Sequence, residues 1–252
     1  MVQQISNQSH NNCALPLEGI SLGVIYVELQ TIAHIHNDFH KKFGIPRQSG
    51  LVPLESVIGF EEAFRQPEAL HGIDGYSHLW LIWQFSDCDD TGRRPTVRPP
   101  RLGGNKRMGV FATRSPFRPN RLGLSSVSLM RVEKTKELGP VLRVSGADLM
   151  DGTPIYDIKP YLAFSDSHPQ AKSGFAEATQ NYRLQVQIAA DLLQRISHQA
   201  CPWEALKEIL SQDPRPAYQN DPDRVYHLDY DDWKVDFTVD NATVCVKNIR
   251  KK

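Results

Sequence analysis

Cysteine is scarce in this chain of 252 residues: Cys13, Cys88, Cys201 and Cys245 are the only four, and they form no CxxC or Cys/His pair at ligand spacing. That excludes a disulfide framework and a structural zinc site, and it suits a reducing cytoplasm. No apolar run approaches the roughly 20 residues that span a bilayer. Met1–Gly19 is too polar for a signal peptide and reads as a flexible tail. The glycine fingerprints GxGxxG and GxxxxGKS/T are missing, as are GxSxG and HExxH, which removes the common nucleotide-fold, hydrolase and metalloprotease readings. Net charge is missing as well: 29 − 29 = 0. A neutral total argues against coating a nucleic acid or an anionic membrane through bulk charge.

The zero is an average over segregated charge. Between Asp90 and Glu133 there are 42 residues without one Asp or Glu, and Arg93, Arg94, Arg98, Arg101, Lys106, Arg107, Arg114, Arg118, Arg121 and Arg131 place ten cations there. Arginine suits bidentate contact to phosphate or carboxylate and stacking on bases. Proline and glycine between these arginines hold the loops in fixed shapes, so an anionic partner is the natural reading. Seven Asp within Asp221–Asp240 offer the alternative that the two groups of charge pair across domains.

Apolar content of 40%, with 10 Phe, 8 Tyr and 4 Trp, is enough for a packed core. Short β-branched and aromatic runs at Ile20–Val27, His78–Phe85, Met108–Thr113, Val127–Val132 and Val141–Val144 are separated by Gly- and Pro-rich turns. They predict a mainly β fold with an N-terminal barrel or sandwich over 20–168. Leu79–Phe85 reads as a strand buried on both faces, with Trp80 and Trp83 in the core, and Ser125–Val132 as a strand with one solvated face. The polar Ser165–Gly174 stretch reads as a linker or lid. A smaller α+β domain follows over 175–252, with helices at Ala189–Ile196 and Trp203–Leu210 and strands at Val225–Leu228, Lys234–Val239 and Thr243–Val246.

Two segments are richer in constraint than folding requires. In Phe111–Ser125, two prolines flank arginines, and Asn120 and Gly123 are the residues suited to left-handed backbone. In Asp148–Tyr161 an Asp-Gly turn precedes Asp157, Lys159 and Tyr161, which in a strand share one face. A hairpin with a polar outer face accounts for this second segment equally well.

Taken together, PRQSGL (46–51), SHLWLI (77–82), RPTVRPPRLGGN (94–105), MGVFATRSPFRPNRLGLS (108–125), DLMDGTPIYDIKPY (148–161) and DPRPAY (213–218) resemble a bacterial family of S-adenosylmethionine-dependent tRNA methyltransferases. That family methylates N6 of threonylcarbamoyl-adenosine at position 37. The resemblance implies a non-Rossmann β-barrel methyltransferase, a cytoplasmic homodimer, tRNA as partner through its anticodon loop, S-adenosylmethionine as methyl donor, and neither metal nor membrane. It also assigns donor-pocket residues, while the chemistry of N6 attack and the segregated charge suggest the catalytic and tRNA-contacting ones. Arg47, Gln48, Ser86, Asp87, Arg114, Leu124, Asp148, Leu149, Met150 and Asp151 line the donor pocket. Asp157, Tyr161 and Asp151 are the catalytic candidates, as acceptors of the N6 proton. Arg98, Arg101, Lys106, Arg118, Arg121, Lys159, Arg215 and Tyr218 contact tRNA, Tyr218 by stacking on a base. A non-catalytic RNA- or nucleotide-binding barrel and a small-molecule methyltransferase are the alternatives.

Overall fold

A computed structural model describes residues 28–87, 94–99, 102, 106–216, 219 and 221–252. The expected tail, the strand expected at Ile20–Val27, and Arg101 and Tyr218 lie outside the described residues. Six strands, β1 (Ala33–His36), β2 (Glu55–Phe60), β3 (His78–Gln84), β6 (Leu122–Thr135), β7 (Gly139–Ser145) and β8 (Pro154–Pro160), close into a barrel in the order β1-β2-β7-β6-β3-β8. Every neighbouring pair is antiparallel. The pleat sends alternate residues inward. Ile35, Ile58, Leu79, Leu81, Val127, Leu142, Val144 and Ile155 therefore fill the interior with almost no exposure. Closure leaves the barrel no open edge to blunt. A short ribbon of β4 (Thr96–Val97) and β5 (Met108–Gly109) stands outside it.

Several sequence expectations are corrected. β3 is buried on one face and half-buried on the other: Leu79, Leu81 and Trp83 point in, while Trp80 is half-buried and donates from Nε1 to the Asp166 carboxylate at 2.9 Å. Asp166 belongs to the short helix α1 (Ala163–Asp166), which caps that outer face. Met108–Thr113 is a strand for two residues only, because Val110–Ala112 turns into a 3-10 helix. The left-handed residue of the arginine loop is Arg121 (φ 46°), not Asn120 or Gly123. Gly123 is glycine for a different reason. A Cβ there would meet the Trp83 indole at 2.2 Å, so the ring lies directly over the backbone of β6.

The second unit is a four-stranded sheet in the order β10-β11-β12-β9, formed by β9 (Gln185–Ile188), β10 (Tyr226–Tyr230), β11 (Trp233–Asp240) and β12 (Thr243–Lys251). Helices α2 (Ala190–Ser197) and α3 (Trp203–Ser211) bring Leu192, Ile196, Leu206, Ile209 and Leu210 into one core with Trp233, Val235, Phe237 and Val244. Asp231 and Asn241, at the two hairpin turns, take the positive φ that short Asx side chains tolerate.

The connection from β1 to β2 joins the two units. Phe39 and Val52 are buried in the second core, the Asp38 carbonyl accepts from the Asp231 amide at 3.1 Å, and Lys41 pairs with Asp229. Gly44 (φ 104°) lies so close to Leu228 that a Cβ would reach its Cδ1 at 2.3 Å. On the barrel side, the Gly50 amide donates to the Gly146 carbonyl at 2.8 Å. The residues 46–49 therefore run between the barrel and the second unit.

Candidate active site

One polar cluster forms where β3 and β6 meet the segments 46–49 and 147–151. Ser125 is an inward residue of β6 and is buried. It accepts from Trp83 Nε1 at 3.0 Å and donates to Asp148 Oδ1 at 2.5 Å. Burial raises the Asp148 carboxyl above its ordinary value, while the Ser125 hydroxyl, the Arg114 charge and the Ser49 amide pull it back only in part. Arg114, exposed on the loop after β5, donates to Gln48 Oε1 at 2.6 Å. The motifs PRQ, FATR, LGLS and DLMD, scattered over a hundred residues of chain, thus meet at one end of the barrel. Ser125 and Trp83 are working members of this cluster that the sequence reading did not assign. The available signal was a serine at an inward position between Gly123 and Val127.

Protonation at Asp148 has a testable sign. A carboxyl raised in the folded state stabilises the fold when protonated; that contribution is present below about the unfolded value and is lost as pH rises through the folded one. Asp148→Asn is therefore expected to raise the thermal midpoint at pH 7 relative to wild type, with the difference closing below pH 4. The same variant is expected to weaken binding of S-adenosylmethionine about 10-fold or more, because a charged hydrogen-bond acceptor is lost. Thermal scans against pH and calorimetric titration check the two halves separately.

Other assigned residues divide. Arg47 is half-buried and reaches away from the cluster, donating from Nη2 to the carbonyls of Asp213 (2.7 Å) and Arg215 (2.9 Å). Through this nitrogen Arg47 links the segment 46–49 to the second unit. Leu149 is fully buried, its side chain packed in the barrel core. Met150 is half-buried beside it. Asp87 pairs with Lys42 at 3.1 Å on the surface, Ser86 is exposed, and Leu124 is 55% exposed on the outer face of β6.

Asp151 sits in the turn before β8. Its carboxylate accepts from the Asn37 amide at 3.2 Å and lies 3.6 Å and 3.4 Å from the imidazoles of His36 and His40. Asp157 and Tyr161 stand elsewhere, on the outer face of β8 and its continuation. Register pairs Asp157 with Ile82, and Ile82 with Leu124, so Asp157 and Leu124 flank one row across three strands. Asp157 accepts from the Ile158 amide at 2.9 Å and pairs with Lys159 at 2.9 Å. Tyr161 packs its ring on Trp80 (centroids 5.5 Å apart) and His78 (6.0 Å). The three catalytic candidates therefore fall in two groups.

Among the basic residues, Arg98 and Lys106 are exposed. Arg118 donates to the Thr113 carbonyl at 2.9 Å, and Arg94 lies over the Phe117 ring at 5.1 Å. Arg121 is half-buried, with its carbonyl accepting from Phe85. Lys159 is exposed but engaged by Asp157. Arg215 is a correction: it is 7% exposed and its Nε and Nη2 donate to the two oxygens of Asp213 at 2.8 and 3.1 Å, so it cannot reach a tRNA phosphate. Asp229 and Asp236 pair with Lys41, Arg250 and His227 rather than with the arginines of 93–131; the Lys41–Asp229 pair is the one of these that crosses between the units. Two exposed aromatics were not assigned from sequence: Phe111, 77% exposed beside the arginine loop, and Phe164, 90% exposed on α1.

Family models match both units: the tRNA-methyltransferase O N-terminal domain over residues 34–167 and the TrmO C-terminal domain over 181–252. The chain belongs to the tRNA-methyltransferase O family. Within it, the chain is 38% identical over 222 residues to a tRNA (adenine(37)-N6)-methyltransferase of Escherichia coli K12, covering 85% of this chain and 94% of that one. It is 45% identical over 175 residues to a protein of the same name from Eikenella corrodens, covering 69% and 97%. A crystal structure of TrmO from P. aeruginosa superimposes with a TM-score of 0.73 at 30% identity, covering 92% of this chain and all of that one. Membership accounts for the absent dinucleotide fingerprint, since the tRNA-methyltransferase O fold seen here is a closed antiparallel barrel. Among the described residues no helix is long and apolar enough to cross a membrane, and no group of three His, Cys, Asp or Glu could hold a metal ion.

Proposed function

We propose that this protein methylates N6 of adenosine 37 in tRNA, taking threonylcarbamoyl-adenosine as the form of that base and S-adenosylmethionine as donor. The observation that carries the reading is the convergence of Gln48, Arg114, Ser125 and Asp148 at one barrel end of a chain that matches tRNA (adenine(37)-N6)-methyltransferases over most of its length. The residues fit the donor: the Arg114 guanidinium suits its carboxylate, and Asp148, Ser125 and Gln48 suit its hydroxyl and amino groups. When bound, the donor supplies an electrophilic methyl on a sulfonium.

The chain's own work is positioning and proton handling. In-line transfer to a weakly nucleophilic exocyclic nitrogen gains much of its rate from orientation. The proton that N6 sheds needs an acceptor, and Asp157, held by Ile158 and Lys159, is the carboxylate that faces outward for it. Tyr161 bears on the same face; Asp151, on the β1 side of the barrel, serves the donor end. The tRNA lies along Arg98, Lys106 and the neighbouring arginine loop with Arg118 and Arg121, where exposed Phe111 offers a base a stacking surface. A cytoplasmic homodimer completes the reading, supported by the exposed apolar side chains of Leu124, Met130 and Val132 on β6, which suit a second copy.

Incubation with isotopically labelled donor and total tRNA, followed by nucleoside mass spectrometry, is expected to yield labelled N6-methyl-threonylcarbamoyl-adenosine. Saturable donor binding with no labelled adenosine product would overturn the tRNA assignment in favour of a small-molecule substrate. Absence of saturable donor binding would leave a non-catalytic RNA-binding barrel.

A further inference from the structure

One of the polar contacts between the two units leads directly to the barrel's polar cluster. The Asp213–Pro214–Arg215 turn follows α3, with Asp213 in the left-handed region (φ 52°). Its carboxylate is chelated by Arg215 Nε and Nη2 and accepts from the Tyr182 hydroxyl at 3.0 Å. With that side-chain network fixing the turn, its two carbonyls, those of Asp213 and Arg215, converge on a single donor, Arg47 Nη2. Arg47 is followed by Gln48, which accepts from Arg114, and by Ser49, whose backbone lies near enough to Asp148 to favour its charged form. Beyond them Gly50 is stitched to Gly146, where a Cβ on Gly146 would come within 3.2 Å of the Gly50 backbone. The segment 47–50 thus has one side chain in the second unit and the next two residues in the polar cluster of the barrel.

We propose that the Asp213–Arg215 turn is a positioning element for the donor site, acting through Arg47 and Gln48 on Arg114. The inference rests on the functional reading above, since it concerns the same cluster. Arg114 is exposed on a loop and carries a long, rotamer-rich side chain. Holding it costs entropy unless a fixed acceptor is supplied, and Gln48 Oε1 is that acceptor. Gln48 is fixed in turn because its neighbour Arg47 is anchored in a half-buried, charge-assisted contact. The second unit therefore contributes to donor binding without touching the donor. This assigns Arg215, unsuited to tRNA contact by its burial, a role in the same reaction.

The test is a double-mutant cycle on donor affinity, measured by calorimetry with S-adenosylmethionine on the full chain. Arg47→Met and Gln48→Leu are each expected to weaken binding roughly 10-fold, and the double variant little more than either single one, because both break the same chain of contacts. Lys41→Ala removes a different link between the units, the pair with Asp229, and is expected to leave donor affinity within about twofold of wild type. If Arg47→Met fails to fold, Arg47→Lys, which keeps the charge but cannot span both carbonyls as a planar guanidinium does, carries the same expectation. Multiplicative effects in the double variant, or unchanged affinity in the folded Arg47 variant, overturn the relay. Wild-type protein without saturable heat overturns the functional reading, and the relay with it; wild-type binding matched by both variants overturns the relay alone.

Discussion

Asp157→Asn is expected to slow methyl transfer about 10²- to 10⁴-fold, the range over which a positioned general base accelerates proton transfer. Asparagine keeps the size of the side chain and an oxygen to accept from the Ile158 amide, so β8 and the barrel are unaffected. What disappears is the negative oxygen that Lys159 faces at 2.9 Å. Asp157 is 43% exposed at its side chain and lies on the outer face of the barrel, well placed to meet a base carried in by a bulky RNA. It makes no contact with Asp148, Arg114 or Gln48 in the polar cluster, so donor affinity should stay within twofold. The measurement is single-turnover methylation of tRNA with saturating donor, alongside calorimetry with donor alone. A folded Asp157→Asn protein that methylates at the wild-type rate removes Asp157 from the role and leaves Tyr161 as the acceptor on that face.

The largest expected effect on stability comes from Arg215→Met. Arg215 and Asp213 have side chains only 8% and 10% exposed, so removing the cation strands a carboxylate in a dry site. Breaking one side of such a pair costs about 3–5 kcal/mol, most of it the desolvated charge left behind. The sign of the pH dependence is specific. Burial acts to raise the Asp213 carboxyl, but the hydrogen bonds and charge of Arg215, with help from Tyr182 and Arg47, hold it below its ordinary value. A depressed carboxyl contributes stability that is present above the unfolded value and lost as pH falls through the folded one. Without Arg215 the burial contribution dominates and the sign reverses. Urea unfolding at pH 7 should show the full deficit of Arg215→Met, and the deficit should shrink as pH approaches 4 and Asp213 takes a proton. A deficit independent of pH would mean that packing of the arginine stem, and not its charge, supports the turn.

Much of the architecture was legible from local pattern. The strand at 78–84, the strand running from Ser125 to Val132, the two helices around Leu192 and Leu206, and the three closing strands follow from local apolar patterns; that β3 buries only one face and that Gly123 and Ser125 point inward did not. Strands β1 and β2 escaped because they are short and bordered by charged or polar residues. Met108–Thr113 misled for the opposite reason: its residues favour a strand, but after the Val110 amide bonds to the Pro95 carbonyl at the end of the ribbon, the Thr113 amide returns to the Val110 carbonyl and closes a 3-10 turn.

Site residues divide along the same line. Motif order and the segregated charge pointed to Gln48, Arg114, Asp148 and Asp157 and to an arginine-rich loop, since residue types that bind carboxylate or accept protons are visible in a sequence. Whether an arginine faces solvent is not. Arg98, Arg47 and Arg215 each sit beside prolines in similar local sequence. Arg98 is a surface cation beside the short β4–β5 ribbon, whereas the packing of the second unit against residues 39–54 makes Arg47 a donor to two carbonyls, and Arg215 is the buried partner of Asp213. Composition and spacing determined which chemistry this chain carries and roughly where along it. The tertiary structure decided which of its charges are available, because burial depends on what packs around a residue: Arg47 meets carbonyls 166 and 168 positions away, while Arg215 pairs with Asp213 two residues off inside a buried turn.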